Sequence, residues 1–249
     1  MEDIIAIVLA AGLGTRMNSN GQKVLTHLLG KPMLFYVISK LRRLNLSKIF
    51  VVVGHQKEEV NKKLEGEGVE FVEQKELFGT GDAVRQVEPY LSSYKNDILV
   101  LCGDTPLLRY STLKNLIVEH RKKRTAATVL TTNFLEPAGY GRILRNGDDS
   151  VEGIIEELDA SPQERLIKEI NAGVYIFQKE PLFTALSEIE PDNIKHEYYL
   201  TDVIGILRRK NYYVASYRSD EPDEILGVNR KEDLMRAEKI LIRRRNGTM

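Results

Sequence analysis

Along the first half of the chain, apolar residues fall in short blocks bounded by polar ones. IIAIVLA (Ile4–Ala10) is apolar throughout, the pattern of a strand buried on both faces of a parallel sheet. Further strand-like blocks stand at Lys48–Val53, Val69–Gln74 and Asp97–Cys102. Between them, apolar positions recur with helical period near Pro32–Leu44, Lys57–Leu64 and Gly79–Val87. Proline suits the first turn of the helix from Pro32, where a missing N–H costs nothing. Strands alternating with helices predict a doubly wound, mostly parallel sheet.

Past about Thr125 the pattern changes. AATVLTTN, GRILR, VEGIIEEL and NAGVYIF read as strands with less helix between them, a mixed or antiparallel insertion beside the main sheet. SPQER predicts a helix start, with Ser161 capping, Pro162 entering and Glu164 completing a capping box. YYLTDVIGILRRK is helical in period, YYVASYR a strand, and ILGVN a short apolar run ending in asparagine. A closing helix runs from Arg230 to about Arg245, and its terminal RRR suits a helix C-terminus. The reading is an α/β fold of Rossmann-like type and one domain over residues 1–249. It divides into a first half to about 124, a lobe and sheet completion over about 125–229, and the closing helix over 230–249.

Composition narrows the function. The chain has 249 residues, and 36 Lys and Arg balance 36 Asp and Glu. No broad basic surface for nucleic acid or anionic membrane is implied. No run approaches the roughly 18 apolar residues of a membrane span, and the acidic start (Glu2, Asp3) does not suit a signal peptide. Cys102 is the only cysteine, which fits a reducing compartment, and a cytoplasmic location is expected. His27, His55, His120 and His196 are scattered without metal-site spacing, and no nucleophile elbow is present.

Candidate chemistry lies where polar residues interrupt the strands. The turn AAGLGTR follows the first strand and could bring backbone N–H groups against phosphate. It lacks the Lys-Ser/Thr pair of a Walker A loop, and Met17 stands where a dinucleotide fingerprint needs glycine. A phosphate loop and a ligand-free strand-to-helix turn both remain open for it. Asp104, after the strand ending at Cys102, is placed either to hold a divalent cation or to satisfy its own turn. Asn229 could join it or cap the closing helix. One carboxylate, one amide oxygen and substrate phosphates would suit magnesium better than calcium or zinc. Arg16 and Lys23 could offset triphosphate charge or be ordinary surface cations. Gln74 carries an amide able to donate and accept, as a pyrimidine edge requires. Gly79-Thr80-Gly81 could admit a flat base or form a plain loop. Glu156 and Asn171 could hydrogen-bond sugar hydroxyls or be structural.

Taken in order, LAAGLGTRM, KVL, GKPML, FGTGDAV, GDTPLL, GYGRI, EINAGVYIF, EYYLTDV and GVN cover nearly the whole chain. The ordered set resembles the sugar-nucleotide pyrophosphorylases, most of all the uridylyltransferase domains of GlmU-type enzymes. Those domains join UTP to N-acetylglucosamine 1-phosphate. The resemblance implies a nucleotide-binding first half and a sugar-binding lobe. It sets Leu9, Ala10, Ala11, Gly12 and Gly14 against the nucleotide, with Cys102 and Gly103 beside them. It gives Arg16 and Lys23 to the triphosphate, with Asp104 sharing the catalytic role, and Gln74, Gly79 and Thr80 to uracil. Asp104 and Asn229 would bind Mg2+, and Gly141, Glu156, Asn171 and Thr201 the sugar. The implied partners are UTP and a sugar 1-phosphate, in a monomer or small homo-oligomer. Another hexose 1-phosphate, such as glucose 1-phosphate, is the alternative acceptor. A non-catalytic nucleotide-sugar sensor on the same fold is the alternative role.

The chain departs from the family's pattern at five places. Gln22 replaces a proline before the lysine, which predicts a looser loop. Cys102 stands for tyrosine, Asp82 for histidine and Ala172 for threonine. Leu158 replaces the lysine of a Glu-x-Lys-Asp motif, removing a cation from the sugar-phosphate side. Arg142 and Lys195 are the candidates to replace it. The length leaves no room for a hexapeptide-repeat acetyltransferase domain, so a single activity is expected.

Overall fold

Seven consecutive apolar residues can be buried only if both faces of their strand are covered. The computed structural model, which describes residues 3–12, 22–54, 57–147 and 150–247, provides that cover. The strands are β1 (Ile4–Ala10), β2 (His27–Leu28), β3 (Lys31–Pro32), β4 (Lys48–Val53), β5 (Glu70–Glu73), β6 (Asp97–Cys102), β7 (Ala127–Asn133), β8 (Arg142–Arg145), β9 (Val151–Ile155), β10 (Glu169–Phe177) and β11 (Val214–Arg218). The α-helices are α1 (Met33–Arg43), α2 (Lys57–Lys63), α3 (Thr80–Arg85), α4 (Tyr110–Lys123), α5 (Lys179–Leu186), α6 (Asp202–Arg209) and α7 (Lys231–Arg245). On one face, Ile5 and Ile7 of β1 pack with Val84 of α3, Leu182 of α5 and Val203 of α6. On the other, Ile4, Ala6 and Val8 pack with Leu34 of α1, Val60 of α2 and Leu116 of α4. Each fully buried aliphatic side chain there contributes roughly 1.5–3 kcal/mol.

The nine-stranded sheet runs β11-β7-β10-β6-β1-β4-β5, with β8 and β9 extending from β10. β1 lies in parallel between β4 and β6. The chain therefore builds outward through β4 and β5, then returns to the other side of β1. Loops leaving adjacent strands on opposite sides of such a switch open a crevice at their carboxyl ends. β10 enters antiparallel between β6 and β7, which makes the sheet mixed.

The first-half strands and helices lie where the sequence pattern puts them, with β5 a residue shorter at each end and Pro32 capping α1 rather than entering it. α4 and α5 were not expected. SPQER is a correction: Ser161 N donates to Glu164 Oε2 at 2.8 Å and Glu164 N to Ser161 Oγ at 3.3 Å, but only the 3-10 turn Glu164–Leu166 follows. Leu166 is exposed, so a longer helix would have no apolar face to bury.

Two irregularities shape the crevice. The β10–β7 register shifts between Asn171 and Tyr175, and Gly173, at φ 67, carries the bulge. The second is a backbone clasp between the loop before α3 and the segment before α6. Tyr198 N donates to Phe78 O at 2.7 Å, and Gly81 N to Tyr198 O at 2.8 Å. Leu200 N donates to Thr80 Oγ1 at 3.0 Å. Gly79, at φ 114, makes the approach possible, because a Cβ there would lie 2.6 Å from Tyr198 O and 2.8 Å from its N. Gly79→Ala is expected to cost roughly 2–4 kcal/mol, from positive-φ strain plus a clash with rigid backbone. Urea unfolding checks this beside Gly147→Ala, whose Cβ would meet nothing within 4 Å. Equal stability of the two variants would contradict the clasp.

Candidate active site

The crevice at the carboxyl ends of β1, β5 and β6 is a cavity of about 590 Å³. Leu9, Ala10, Ala11 and Gly12 reach it from β1, Gln74 from β5, Cys102 and Asp104 from β6, and Gly79 and Thr80 from the clasp. Lys23 and Asn229 close one side. The predicted residues Gly14 and Arg16 lie outside the described residues. Gly103 does not line the cavity: its N donates to Leu9 O at 2.9 Å, and a Cβ there would press on Leu34 and Val24.

At the deep end, Lys23 Nζ forms an ion pair with Asp104 and donates to Asn229 Oδ1 at 2.7 Å. Asn229 Nδ2 donates to Gly227 O at 3.3 Å. One side of this amide meets a cation and the other a carbonyl, so its oxygen must face Lys23. Asp233 Oδ2 accepts from Asn229 N at 2.9 Å and from Arg230 N at 2.8 Å, while Val228 N donates to Asp104 O at 3.0 Å. Asn229 thus belongs to the N-terminal cap of α7 and presents an oxygen to the site as well. Gln22, expected to loosen the loop before Lys23, is buried with φ −60, the angle a proline would impose.

Gln74 departs from expectation. Its Nε2 donates to Gly79 O at 3.0 Å and to Asp82 Oδ2 at 2.9 Å. Both partners can only accept, which fixes the amide orientation on chemical grounds. Its two protons are spent within the protein, so only Oε1 remains for a ligand. Asp82 is itself fixed by Arg85 at 3.0 Å and Gln86 Nε2 at 3.1 Å. The glycines beside Gln74 also serve another end than the one expected, making room for the backbone of Tyr198. Thr80 spends its hydroxyl oxygen on Leu200 N.

The second-lobe residues form an adjacent group. Thr201 Oγ1 donates to Glu156 Oε1 at 3.1 Å, and a Cβ on Gly141 would lie 3.5 Å from Glu156 Oε2. Asn171 N donates to Gly141 O at 2.9 Å. The Asn171 side chain mainly builds the β10 bulge: Nδ2 donates to Tyr175 OH at 2.6 Å and Oδ1 accepts from Gly173 N at 3.0 Å. One amide proton is left for a ligand, fewer than a sugar-binding role predicted. Burial raises the Glu156 carboxyl above its ordinary range and pushes the Cys102 thiol up to about 12.

Two features of the site were not expected from sequence. Leu77 and Glu197 line the cavity, brought in by the clasp, which no spacing pattern announces. Asp202 lies beside Glu156 and Asp159, and burial first, then those charges, raise its carboxyl to about 6. An unfolded aspartate titrates near 3.9. The neutral form is thus the one the fold favours, and its contribution is complete below about pH 4 and lost as pH rises through about 6. Asp202→Asn should therefore match the wild type near pH 4 and be more stable at pH 7. After discounting for partial exposure and the favourable α6 N-terminus, the gain is about 1–2 kcal/mol. Denaturant unfolding at both pH values checks this, and a pH-independent difference would contradict it.

A family profile described as "MobA-like NTP transferase domain" matches residues 6–171. The chain is 46% identical over 246 residues to the bifunctional protein GlmU of Oceanobacillus iheyensis, covering 99% of this chain and 54% of that protein. With GlmU of Bacillus subtilis the identity is 44% over the same shares. It spans about half the length of these curated relatives. Among solved structures, a UDP-glucose pyrophosphorylase complexed with UDP-glucose superposes with TM-score 0.75 at 17% identity, over 96% of this chain and 98% of that one. A putative glucose-1-phosphate thymidylyltransferase from Bacillus anthracis gives TM-score 0.75 at 18% identity, over 95% and 94%. These last two share the fold. With a profile spanning most of the chain and near-complete alignment to GlmU, the chain belongs to the MobA-like NTP transferase family.

Proposed function

We propose that this chain is a sugar-1-phosphate uridylyltransferase, joining UTP to N-acetylglucosamine 1-phosphate with release of pyrophosphate. The observation that carries the reading is the convergence of Lys23, Asp104 and Asn229 at the strand-end crevice, beside an amide that offers uracil only an acceptor.

An oxygen of the sugar phosphate attacks the α-phosphorus in line. The bond from that phosphorus to the β-phosphate bridging oxygen breaks, and pyrophosphate leaves with the electron pair. No covalent enzyme intermediate is needed, so the protein contributes by positioning and by stabilising charge. Asp104 and Asn229 would hold magnesium. Their donor set is a carboxylate and an amide oxygen, already gathered on a cation, and among the described residues no cluster of three or more His, Cys, Asp or Glu could hold a metal alone. Such a set leaves most positions to water and phosphate, as Mg2+ prefers, and the ion when bound neutralises phosphate charge. Lys23, released toward the phosphates, stabilises the leaving group. Gln74 Oε1 accepts the N3–H of uracil and repels the N3 lone pair of cytosine. Glu156 and Thr201 hold sugar hydroxyls.

A second acceptor, glucose 1-phosphate, is favoured by one observation: Asn171 has only one amide proton left after building its bulge, little to offer an N-acetyl group. Pyrophosphate release, assayed across nucleoside triphosphates and sugar 1-phosphates, separates the two acceptors. UTP is expected to exceed CTP in kcat/KM by at least about tenfold, the worth of one buried hydrogen bond plus the repulsion it replaces. Comparable values would overturn the base reading. Asp104→Ala is expected to fold normally by circular dichroism and lose roughly a hundredfold in kcat, about 3 kcal/mol. Near-normal turnover would overturn the assignment of Asp104.

A further inference from the structure

We infer that Lys195 binds the phosphate of the acceptor. The inference rests on the uridylyltransferase reading and adds a specific residue to it.

Two cations are candidates for the sugar-phosphate side, Arg142 and Lys195, and their surroundings separate them. Arg142 is only 1% exposed, and its guanidinium donates to Tyr140 O and to Glu157 Oε2, the latter at 2.7 Å. It is committed to holding Glu157. Lys195 lines the cavity together with Lys23, Asp104 and Asn229. Among the described residues its backbone N is held, by Asn193 Oδ1 at 3.2 Å, while its ammonium has no hydrogen-bond or ion-pair partner. Its charge is felt at Glu156, whose carboxyl it lowers against the stronger effect of burial. Lys195 therefore shares the cavity with Asp104 and is within electrostatic reach of Glu156, the two sides that a sugar phosphate must link.

The need for a cation there is electrostatic. Glu156, Asp159 and Glu197 gather around this side, and the last two raise Glu156 further. A phosphate dianion entering among them requires a positive partner, and on the proposed reading Lys23 serves the leaving pyrophosphate instead.

The segment after β9 holds the loop that carries Lys195. Glu156 accepts from Thr201 beside the cavity, Glu157 pairs with Arg142, and Leu158 is half-exposed without lining the cavity. Asp159 Oδ1 accepts from Ile194 N at 3.0 Å. Asn193 Oδ1 also accepts from Glu197 N at 3.2 Å, and its Nδ2 donates to Glu197 O at 2.6 Å. The tight loop carrying Lys195 is thus fastened to the residue beside Leu158, and its far end runs into the Tyr198 clasp.

The test is steady-state kinetics of Lys195→Met, Lys195→Arg and Leu158→Lys with the acceptor that the wild type uses best. Loss of one charge-assisted hydrogen bond predicts that Lys195→Met raises acceptor KM about ten- to a hundredfold. UTP KM should stay within about twofold, Lys195→Arg should recover most of the loss, and Leu158→Lys should leave acceptor KM unchanged. Unchanged acceptor KM in Lys195→Met, or an equal rise in UTP KM, overturns the assignment. So does a tenfold fall in acceptor KM on Leu158→Lys. A wild type inactive with every sugar 1-phosphate would overturn the uridylyltransferase reading as well.

Discussion

Lys23 Nζ draws together three segments that chain order keeps apart: the turn after the first loop, the end of β6, and the cap of α7. Its partners Asp104 and Asn229 lie 81 and 206 residues away in sequence. Removing one member would leave a partly buried charge or dipole without its counterpart, and that penalty exceeds the net worth of the bond itself. The arrangement therefore fixes where the closing helix docks. It also gathers two oxygens and one cation where the sheet's switch point opens. Phosphate chemistry needs those elements, and the fold assembles them from structural necessity, since Asn229 and Asp233 also cap α7.

The clasp at Gly79 and Tyr198 complements it from the opposite wall. It holds the loop before α3 against the segment leading into α6, so Gly79 and Thr80 share one backbone framework with Thr201. Gln74 gains its fixed orientation from the same region, through Gly79 O and Asp82. The carboxylate of Asp82 can only accept, which holds the Gln74 amide with its protons turned inward. On the proposed reading, base selection by Gln74 would depend on a residue that does not itself touch the ligand.

Much of this was legible in the sequence. β1, β4 and β6 follow directly from unbroken apolar blocks, because a strand covered on both faces leaves no other pattern. Asp104 and Asn229 were identifiable as polar residues ending such blocks. The failures are equally physical. Ser161 and Glu164 make their capping bonds, yet no helix follows, because Leu166 has nothing to pack against. Gln74 was read as an amide able to donate and accept, and its protons are spent on partners five and eight residues away, which leaves only its oxygen. Asn171 was open as sugar-binding or structural, and its side chain supports a bulge that no spacing rule reveals while keeping one amide proton. Lys195 could be named from sequence as one of two cations; only the pairing of Arg142 with Glu157 separates them.

The account's central claim is that this crevice directs a sugar phosphate onto the α-phosphorus of UTP. The most direct measurement is 31P NMR of a reaction containing Mg2+, UTP and N-acetylglucosamine 1-phosphate with 18O in its phosphate oxygens. The account predicts pyrophosphate and the nucleotide sugar in equal amounts, with 18O retained on the sugar-side phosphorus and in the diphosphate bridge, and none in pyrophosphate. Label in the pyrophosphate, or no pyrophosphate at all with any sugar 1-phosphate, would contradict it.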